Sequence, residues 1–465
     1  MRGRPTILIR LHLVLLLIGA LIPWPATAQE GAPGALLGGR WTLTLRTPQG
    51  AFQTPVEFVV QDGGKVSATI LGPLGTFRIS DAKGTLVGER LRLSATSSFG
   101  NLRVNARLED GRLTGHWGPG GLISGLFFRG EIHGVRDDSY ARAAPTEVYD
   151  KLWTSLERQF YARDHNGVDI RSLRERYRSQ VAASRTDGEF LAIIRRMLGE
   201  FRTSHLDLFA MPAPQVGMQP PAIADPVSEG RGISWREISR GVGYLRIESF
   251  EDGPGIIGRI DQSFSELRRN ESLIIDIREN GGGNLSAAMR LGDYIFAEQR
   301  PVGYFASREG LMRHGAASID ALTASALPVF TGYSSAELAR EMHASGAVML
   351  ATGGRAREPY RGRIVILVDE HCFSACEAFA SVAKETSAAT LVGRRTAGAM
   401  LAAFPIEIEG GWTLLLPVWD FRTPGGARVE GRGVEPDIAV RKSGRTDADL
   451  AAAVQHLRRA ARSAR

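Results

Sequence analysis

Ser374 stands where a side chain can do chemistry. The apolar, β-branched run Ile364 to Val368 reads as a buried strand, and Ala375 to Lys384 has the alanine and glutamate content of a helix. Asp369-Glu-His-Cys-Phe-Ser374 then forms a strand-to-helix turn, with the hydroxyl clear of the sheet and beside helical N–H groups that lack partners inside the helix. An isolated serine there is more often a helix cap. A nucleophilic serine needs more company: a base to take its proton, a group to orient that base, and N–H donors to receive an oxyanion.

Each of these has a candidate. Of nine histidines, His205 follows Thr203-Ser204 where a helical pattern ends, and it is the first choice for the base. His371, three residues before Ser374, is the rival, but a position upstream of the turn points it away from the hydroxyl. His12 lies in the N-terminal apolar segment, and His116 and His133 lie in a β-rich region. His165, His314, His343 and His456 sit in polar contexts that read as solvated surface. Asn280-Gly-Gly-Gly-Asn284 follows the strand Leu273 to Ile277. Its glycines let a substrate backbone approach, and their N–H groups, with that of Ala375, are candidate oxyanion donors. Alone, such a run would be a tight turn. A carboxylate to orient the base is available in the glycine-rich turn Arg428-Val-Glu-Gly-Arg-Gly-Val-Glu-Pro-Asp437, as Glu430 with Glu435 and Asp437 nearby. The only two cysteines, Cys372 and Cys376, flank Ser374. They read as small apolar residues packed beside the turn rather than as a redox pair. No metal-ligand spacing, phosphate loop or dinucleotide fingerprint is present, so neither metal nor cofactor is expected.

The elements that must position these residues fall into successive regions. Arg2, Arg4 and Arg10 precede the apolar run Leu11 to Ile22 and Ala26-Thr27-Ala28, which reads as a signal peptide over 1–28 and predicts export to a periplasm or the exterior. No later segment is long and apolar enough for stable membrane insertion. Three of the seven excess positive charges belong to those early arginines, so the remainder gives no support for nucleic-acid binding. Residues 30–39 read as a flexible lead-in. Over 40–135 short alternating runs, among them Trp41 to Leu45, Val56 to Val60 and Leu122 to Phe128, are broken by glycine turns and predict roughly eight strands in an antiparallel barrel or sandwich. Over 146–210 the period becomes helical, and Thr186-Asp-Gly-Glu189 has the form of a capping box. Over 232–441 strands and helices alternate, as in an α/β core with a largely parallel sheet whose sites form at strand carboxyl ends. Ser307 to Tyr360 looks like a lid or helical insert. The amphipathic run in 442–465 predicts a C-terminal docking helix.

Five short motifs in order resemble the family that includes tricorn core peptidases, tail-specific C-terminal processing peptidases and the interphotoreceptor retinoid-binding protein. They are Thr203-Ser-His205, Asp276-Ile-Arg-Glu-Asn-Gly-Gly-Gly283, Ser374-Ala-Cys-Glu377, Gly393-Arg-Arg-Thr-Ala-Gly398 and Gly433-Val-Glu-Pro-Asp437. The resemblance implies a ClpP/crotonase-like core and a serine peptidase acting on a peptide or protein substrate. The processing branch places a lysine after the nucleophile, where this chain reads Gly398-Ala-Met400. Lys384 cannot replace it, because ten residues of helix separate the two by about 15 Å. The tricorn-like branch uses serine, histidine, a second serine and glutamate. By that resemblance Ser374 is the nucleophile and His205 the base, Ser204 and Glu430 orient the base, and Gly282 and Ala375 supply the oxyanion hole. Many members carry a PDZ domain after the histidine, and the gap here is too short for one. Two other functions fit the same residues, an esterase using Ser374 and a noncatalytic binder of an apolar ligand. The oligomeric state stays open, and a homo-oligomer is compatible with the sequence.

Overall fold

Eight strands, β1 (Gly39–Thr47), β2 (Gly50–Val60), β3 (Lys65–Ile70), β4 (Ala82–Val87), β5 (Arg90–Ser97), β6 (Gly100–Glu109), β7 (Arg112–Pro119) and β8 (Gly130–Arg136), pair in sequence order and close when β1 meets β8. The computed structural model describes residues 33–47, 50–73, 81–97, 100–119, 130–138, 140–212, 232–250, 255–296, 298–354, 358–442 and 447–463. The barrel-or-sandwich alternative thus resolves to a closed barrel, which leaves no unpaired edge. Alternation along each strand turns one face inward, so Leu43, Leu45, Val56, Phe58, Leu91, Leu93 and Val104 fill the interior. The expected strand Leu122 to Phe128 and the signal peptide lie outside the described residues. The lead-in is more ordered than its composition suggests: Pro33–Leu37 is a helical turn, α1, whose Leu37 carbonyl accepts from the Trp41 indole at 2.7 Å.

Three helices follow, α2 (Pro145–Gln159), α3 (Ile170–Ala183) and α4 (Asp187–Gly199). Their apolar faces meet around Leu152, Trp153, Phe160, Phe190 and Phe201. Thr186 caps α4 by accepting from Glu189 N–H at 3.1 Å, whereas the Glu189 carboxylate reaches the N–H of Arg185, one residue before the cap, at 2.7 Å. The helix also takes help from the barrel, because both Glu57 oxygens accept from its first N–H groups, Asp187 at 2.9 Å and Gly188 at 2.6 Å. Just past β3, Leu71 leaves the barrel core and joins the helical one. Its carbonyl accepts from Ala210 N–H at 2.7 Å, at the end of β9 (Asp207–Ala210).

The remaining chain builds two sheets. The next elements are β10 (Ile233–Ser239), β11 (Val242–Ile247), α5 (Ile256–Leu267), β12 (Ser272–Asp276), α6 (Leu285–Ile295), β13 (Pro301–Ser307), α7 (Arg308–Arg313), β14 (Val329–Phe330), α8 (Ser335–Ser345) and β15 (Ala347–Ala351). After them come β16 (Arg363–Val368), α9 (Ala375–Glu385), β17 (Thr390–Gly393), β18 (Ala402–Ile408), β19 (Trp412–Arg422), β20 (Ile438–Ala439) and α10 (Ala448–Ser463). One sheet runs β10-β11-β12-β16-β17-β20, parallel except for the β10 edge. The other, β14-β15-β13-β19-β18 with β9 on β19, is mostly antiparallel and was not foreseen. The stretch Ser307 to Tyr360 is therefore no lid: its strands β14 and β15 are part of that second sheet, with Val348 and Leu350 in the main core. The parallel sheet packs α5, α6 and α9 on one face and α10 on the other, where Ala453 and Leu457 meet Ile274, Val365 and Leu367. No described helix is long and apolar enough to cross a membrane. Leu457→Ala is expected to cost about 2–5 kcal/mol of unfolding free energy, read from the midpoint shift in urea.

Candidate active site

Adjacent parallel strands bring two turns together. β12 and β16 pair in register from Ser272↔Arg363 to Asp276↔Leu367, so their carboxyl ends release Asn280 to Asn284 and Asp369 to Ser374 side by side. Phe373 N–H donates to the Asn280 carbonyl at 3.2 Å. Gly282 sits so close that a Cβ there would lie 2.7 Å from the Phe373 carbonyl oxygen and 2.8 Å from Ser374 Cβ. Its φ of 84° also favours glycine. The Gly282 N–H donates to Asn280 Oδ1 at 2.9 Å, so in this state an oxyanion would have to compete with that side chain.

Ser374 precedes α9 but does not cap it: its side chain makes no cap hydrogen bond, and its backbone adopts φ 52°, ψ −120°. Such a conformation costs about 1–3 kcal/mol and persists only where the surroundings fix it. Here Ser374 N–H donates to the Ala399 carbonyl at 2.9 Å, and the Ser374 carbonyl accepts from Glu377 and Ala378 N–H. Ala375, the first residue of the helix, is fully buried against this turn.

His205 arrives from the other direction. It has φ 57° and lies just before β9, which is held on β19 from Asp207↔Leu415 to Ala210↔Trp412. Ser204 Oγ lies 2.7 Å from His205 Nδ1 and 2.8 Å from Glu430 Oε2. Glu430 also accepts from Ser204 N–H and Met400 N–H, each at 2.8 Å, and from Thr203 Oγ1 at 3.4 Å. A carboxylate can only accept, so the single Ser204 hydroxyl proton points to Glu430 and Ser204 Oγ accepts from His205 Nδ1–H. The tautomer that follows leaves the Nε2 lone pair free. Burial pushes the His205 pKa below its ordinary value, so the ring is neutral at neutral pH. His205 and Ser374 share no hydrogen bond here.

The structure separates the alternatives left open by the sequence. Among the three acids only Glu430 meets Ser204; the Glu435 carbonyl and the Asp437 carboxylate hold Lys384 Nζ at 2.6 and 3.1 Å. Lys384 is thereby occupied far along α9. His371 is exposed. His165 corrects the surface reading, because it is buried and stacked on Phe160 at 5.7 Å between ring centroids. Cys372 and Cys376, expected as unpaired apolar packing, form a disulfide with Cα atoms 5.5 Å apart. Four residues within a turn entering a helix bring them into range, which spacing alone did not decide.

Glu377, quoted in the Ser374-Ala-Cys-Glu377 motif, was given no role by the sequence reading, although an acidic residue among the alanines and apolar residues of the first helical turns was its signal. It is fully buried and accepts from Thr396 Oγ1 at 2.5 Å and from Gly398 and Ala399 N–H at 2.7 Å each. Burial, reinforced by the charge of Glu430, raises its pKa. Asp276 and Arg278 prove to be scaffolding: Arg278 joins Asp276 at 2.6 Å and also reaches Asp447 and Asp449 at the start of α10. No group of three or more acidic, histidine or cysteine side chains suited to a metal occurs among the described residues.

Residues 241–440 match peptidase family S41, and residues 141–199 match the Tricorn protease C1 domain. The chloroplastic C-terminal processing peptidase of Tetradesmus obliquus is 23% identical over 199 residues, 42% of this chain and 34% of that protein. The chain therefore spans about a third of the length of the curated relative it matches. A solved structure from Parabacteroides merdae, described as a candidate peptidase, covers 68% of this chain and 97% of its own with TM-score 0.51 and 20% identity. At that identity the likeness is one of fold. The tricorn protease aligns over 86% of this chain and 46% of its own, at 14% identity and TM-score 0.42. Gly282→Ala is expected to lose about 1–3 kcal/mol of stability, measured by thermal unfolding, whereas Gly281→Ala, where an added Cβ meets nothing within 4 Å, is expected to lose less.

Proposed function

We propose that this chain, which carries a peptidase family S41 domain behind a Tricorn C1 domain, is an exported serine peptidase that cleaves peptide or protein substrates through an acyl-enzyme on Ser374. The observation that carries the reading is the relay Glu430 to Ser204 to His205, which leaves Nε2 as the free basic nitrogen. On this reading His205 Nε2 takes the Ser374 proton as Oγ attacks the scissile carbonyl, and the positive ring that results is stabilised through Ser204 by Glu430. The oxyanion is received by Ala375 N–H and by an N–H of the glycine turn, Gly282 if substrate displaces the Asn280 side chain. The proton then passes to the leaving amine, and a water activated by the same nitrogen releases the acyl group. With the gap after His205 too short for a PDZ domain, selection of substrate on this reading falls to the core cleft, to the stretch Ser307 to Tyr360 or to the barrel. A ClpP/crotonase-like core, with its parallel sheet presenting loops at strand carboxyl ends, accords with this placement.

The reading as an apolar-ligand carrier gains no support from the barrel among the described residues. The barrel interior holds a cavity of about 20 Å³ lined by Leu43, Phe58, Leu93 and other apolar side chains, enough for roughly one water and not for a lipid.

Ser374→Ala is expected to abolish labelling by a fluorophosphonate and all turnover of a peptide substrate while circular dichroism stays unchanged; turnover that persists would refute the reading. Ser204→Ala is expected to lower kcat by about 10²–10⁴-fold with KM little changed, in steady-state assays. Protonated His205 cannot accept the serine proton, so kcat/KM falls as the pH drops. Because burial lowers this pKa, the acid limb is expected below about 6.5, and a limb at or above that value would assign the base elsewhere.

A further inference from the structure

We propose that the Cys372–Cys376 disulfide is a positioning clasp for the nucleophile, and that breaking it disables Ser374 without unfolding the protein. The proposal rests on Ser374 being the nucleophile. Ser374 holds a backbone conformation outside both the helical and the extended regions, and such a residue needs anchors on each side. On the side of the preceding turn, Cys372 N–H donates to Asp369 carbonyl and the Cys372 carbonyl accepts from Ala397 N–H. On the helix side, Cys376 N–H donates to the Phe373 carbonyl, and the sulphur lies 3.5 Å from the Ile277 carbonyl. The disulfide joins these two anchors covalently across the serine. Both cysteines are fully buried, as are Ala375, Ala378 and Phe379 around them.

Two thiols need more room than one bonded pair, and a close-packed surround offers none. Reduction is therefore relieved by movement of the turn, the helix start, or both, and each carries Ser374. A crosslink that closes so short a loop constrains the unfolded chain little, which directs its effect to the local geometry rather than to global stability. The chain holds no third cysteine, so no competing intramolecular pairing exists. A dithiol such as dithiothreitol supplies the two electrons: its thiolate attacks one sulphur, its second thiol resolves the mixed disulfide, the reagent leaves as a cyclic disulfide, and each cysteine sulphur gains a proton.

The test uses the full purified chain, with fluorophosphonate labelling, peptide turnover and thermal unfolding measured in parallel. Three forms are compared: the oxidised protein, the protein reduced in mild urea and returned to buffer, and Cys372→Ala/Cys376→Ala. The expected result is a kcat about 10²-fold lower in the reduced and double-variant forms, an unchanged KM, a similar melting temperature, and recovery when the reduced wild type is reoxidised. A fall in kcat with KM and melting temperature unchanged is what a purely structural role of the cysteines would not give, and recovery on reoxidation keeps the test valid if the double variant fails to fold. Equal kcat in oxidised and reduced protein, with two free thiols found by iodoacetamide mass shift, overturns the clasp and leaves the serine mechanism intact. An oxidised protein that never labels overturns the serine mechanism and the clasp together.

Discussion

The site depends on one buried carboxylate with no room for error. Glu430 accepts from Thr203, twice from Ser204, and from Met400, so it ties the histidine loop to the loop that follows β17. A buried acceptor with four donors cannot be removed cheaply, because each donor would then be left short of a partner. The same contacts fix the Ser204 hydroxyl proton and through it the His205 tautomer. Electrostatics and geometry are therefore set by one group rather than tuned separately.

The loop at 396–400 is the second half of that arrangement. Glu377 gathers Thr396, Gly398 and Ala399 onto α9, Ala399 holds the Ser374 N–H, and Met400 turns its own N–H to Glu430. Two buried acids, one on each side of a five-residue loop, thus set how Ser374 and the Ser204–His205 pair stand relative to each other. Their charges repel, and each accepts from both backbone N–H and hydroxyl donors.

Much of this was legible in the sequence where local chemistry speaks. The β-branched run before Ser374, the glycine run after β12 and the polar Thr203-Ser204 before His205 announced turns at element ends, and the barrel's alternation announced inward and outward faces. What stayed hidden was long-range pairing. Nothing near Ser307 to Tyr360 reveals that β15 will lie on β13, so a woven sheet read as an insert. The choice among Glu430, Glu435 and Asp437 needed contacts across more than two hundred residues. Spacing alone could not pair Cys372 with Cys376, because the same four-residue interval also suits two separate thiols on a helix start. His165 looked polar by its neighbours Asp164 and Asn166, yet tertiary packing placed its ring on Phe160.

Leu71 has a consequence for how this molecule can be divided. Strand β9 is paired with β19 on one side only, and on its other side the Ala210 N–H is taken by the Leu71 carbonyl while Arg195 reaches the Gly72 carbonyl at 3.3 Å. The segment that leaves β3 inside the barrel therefore covers part of the edge of the strand that follows His205. Removing the barrel would free the Ala210 N–H on that edge, a place where a second copy, or an extended peptide, could pair. The barrel need not touch a peptide to govern which strands can pair at that edge.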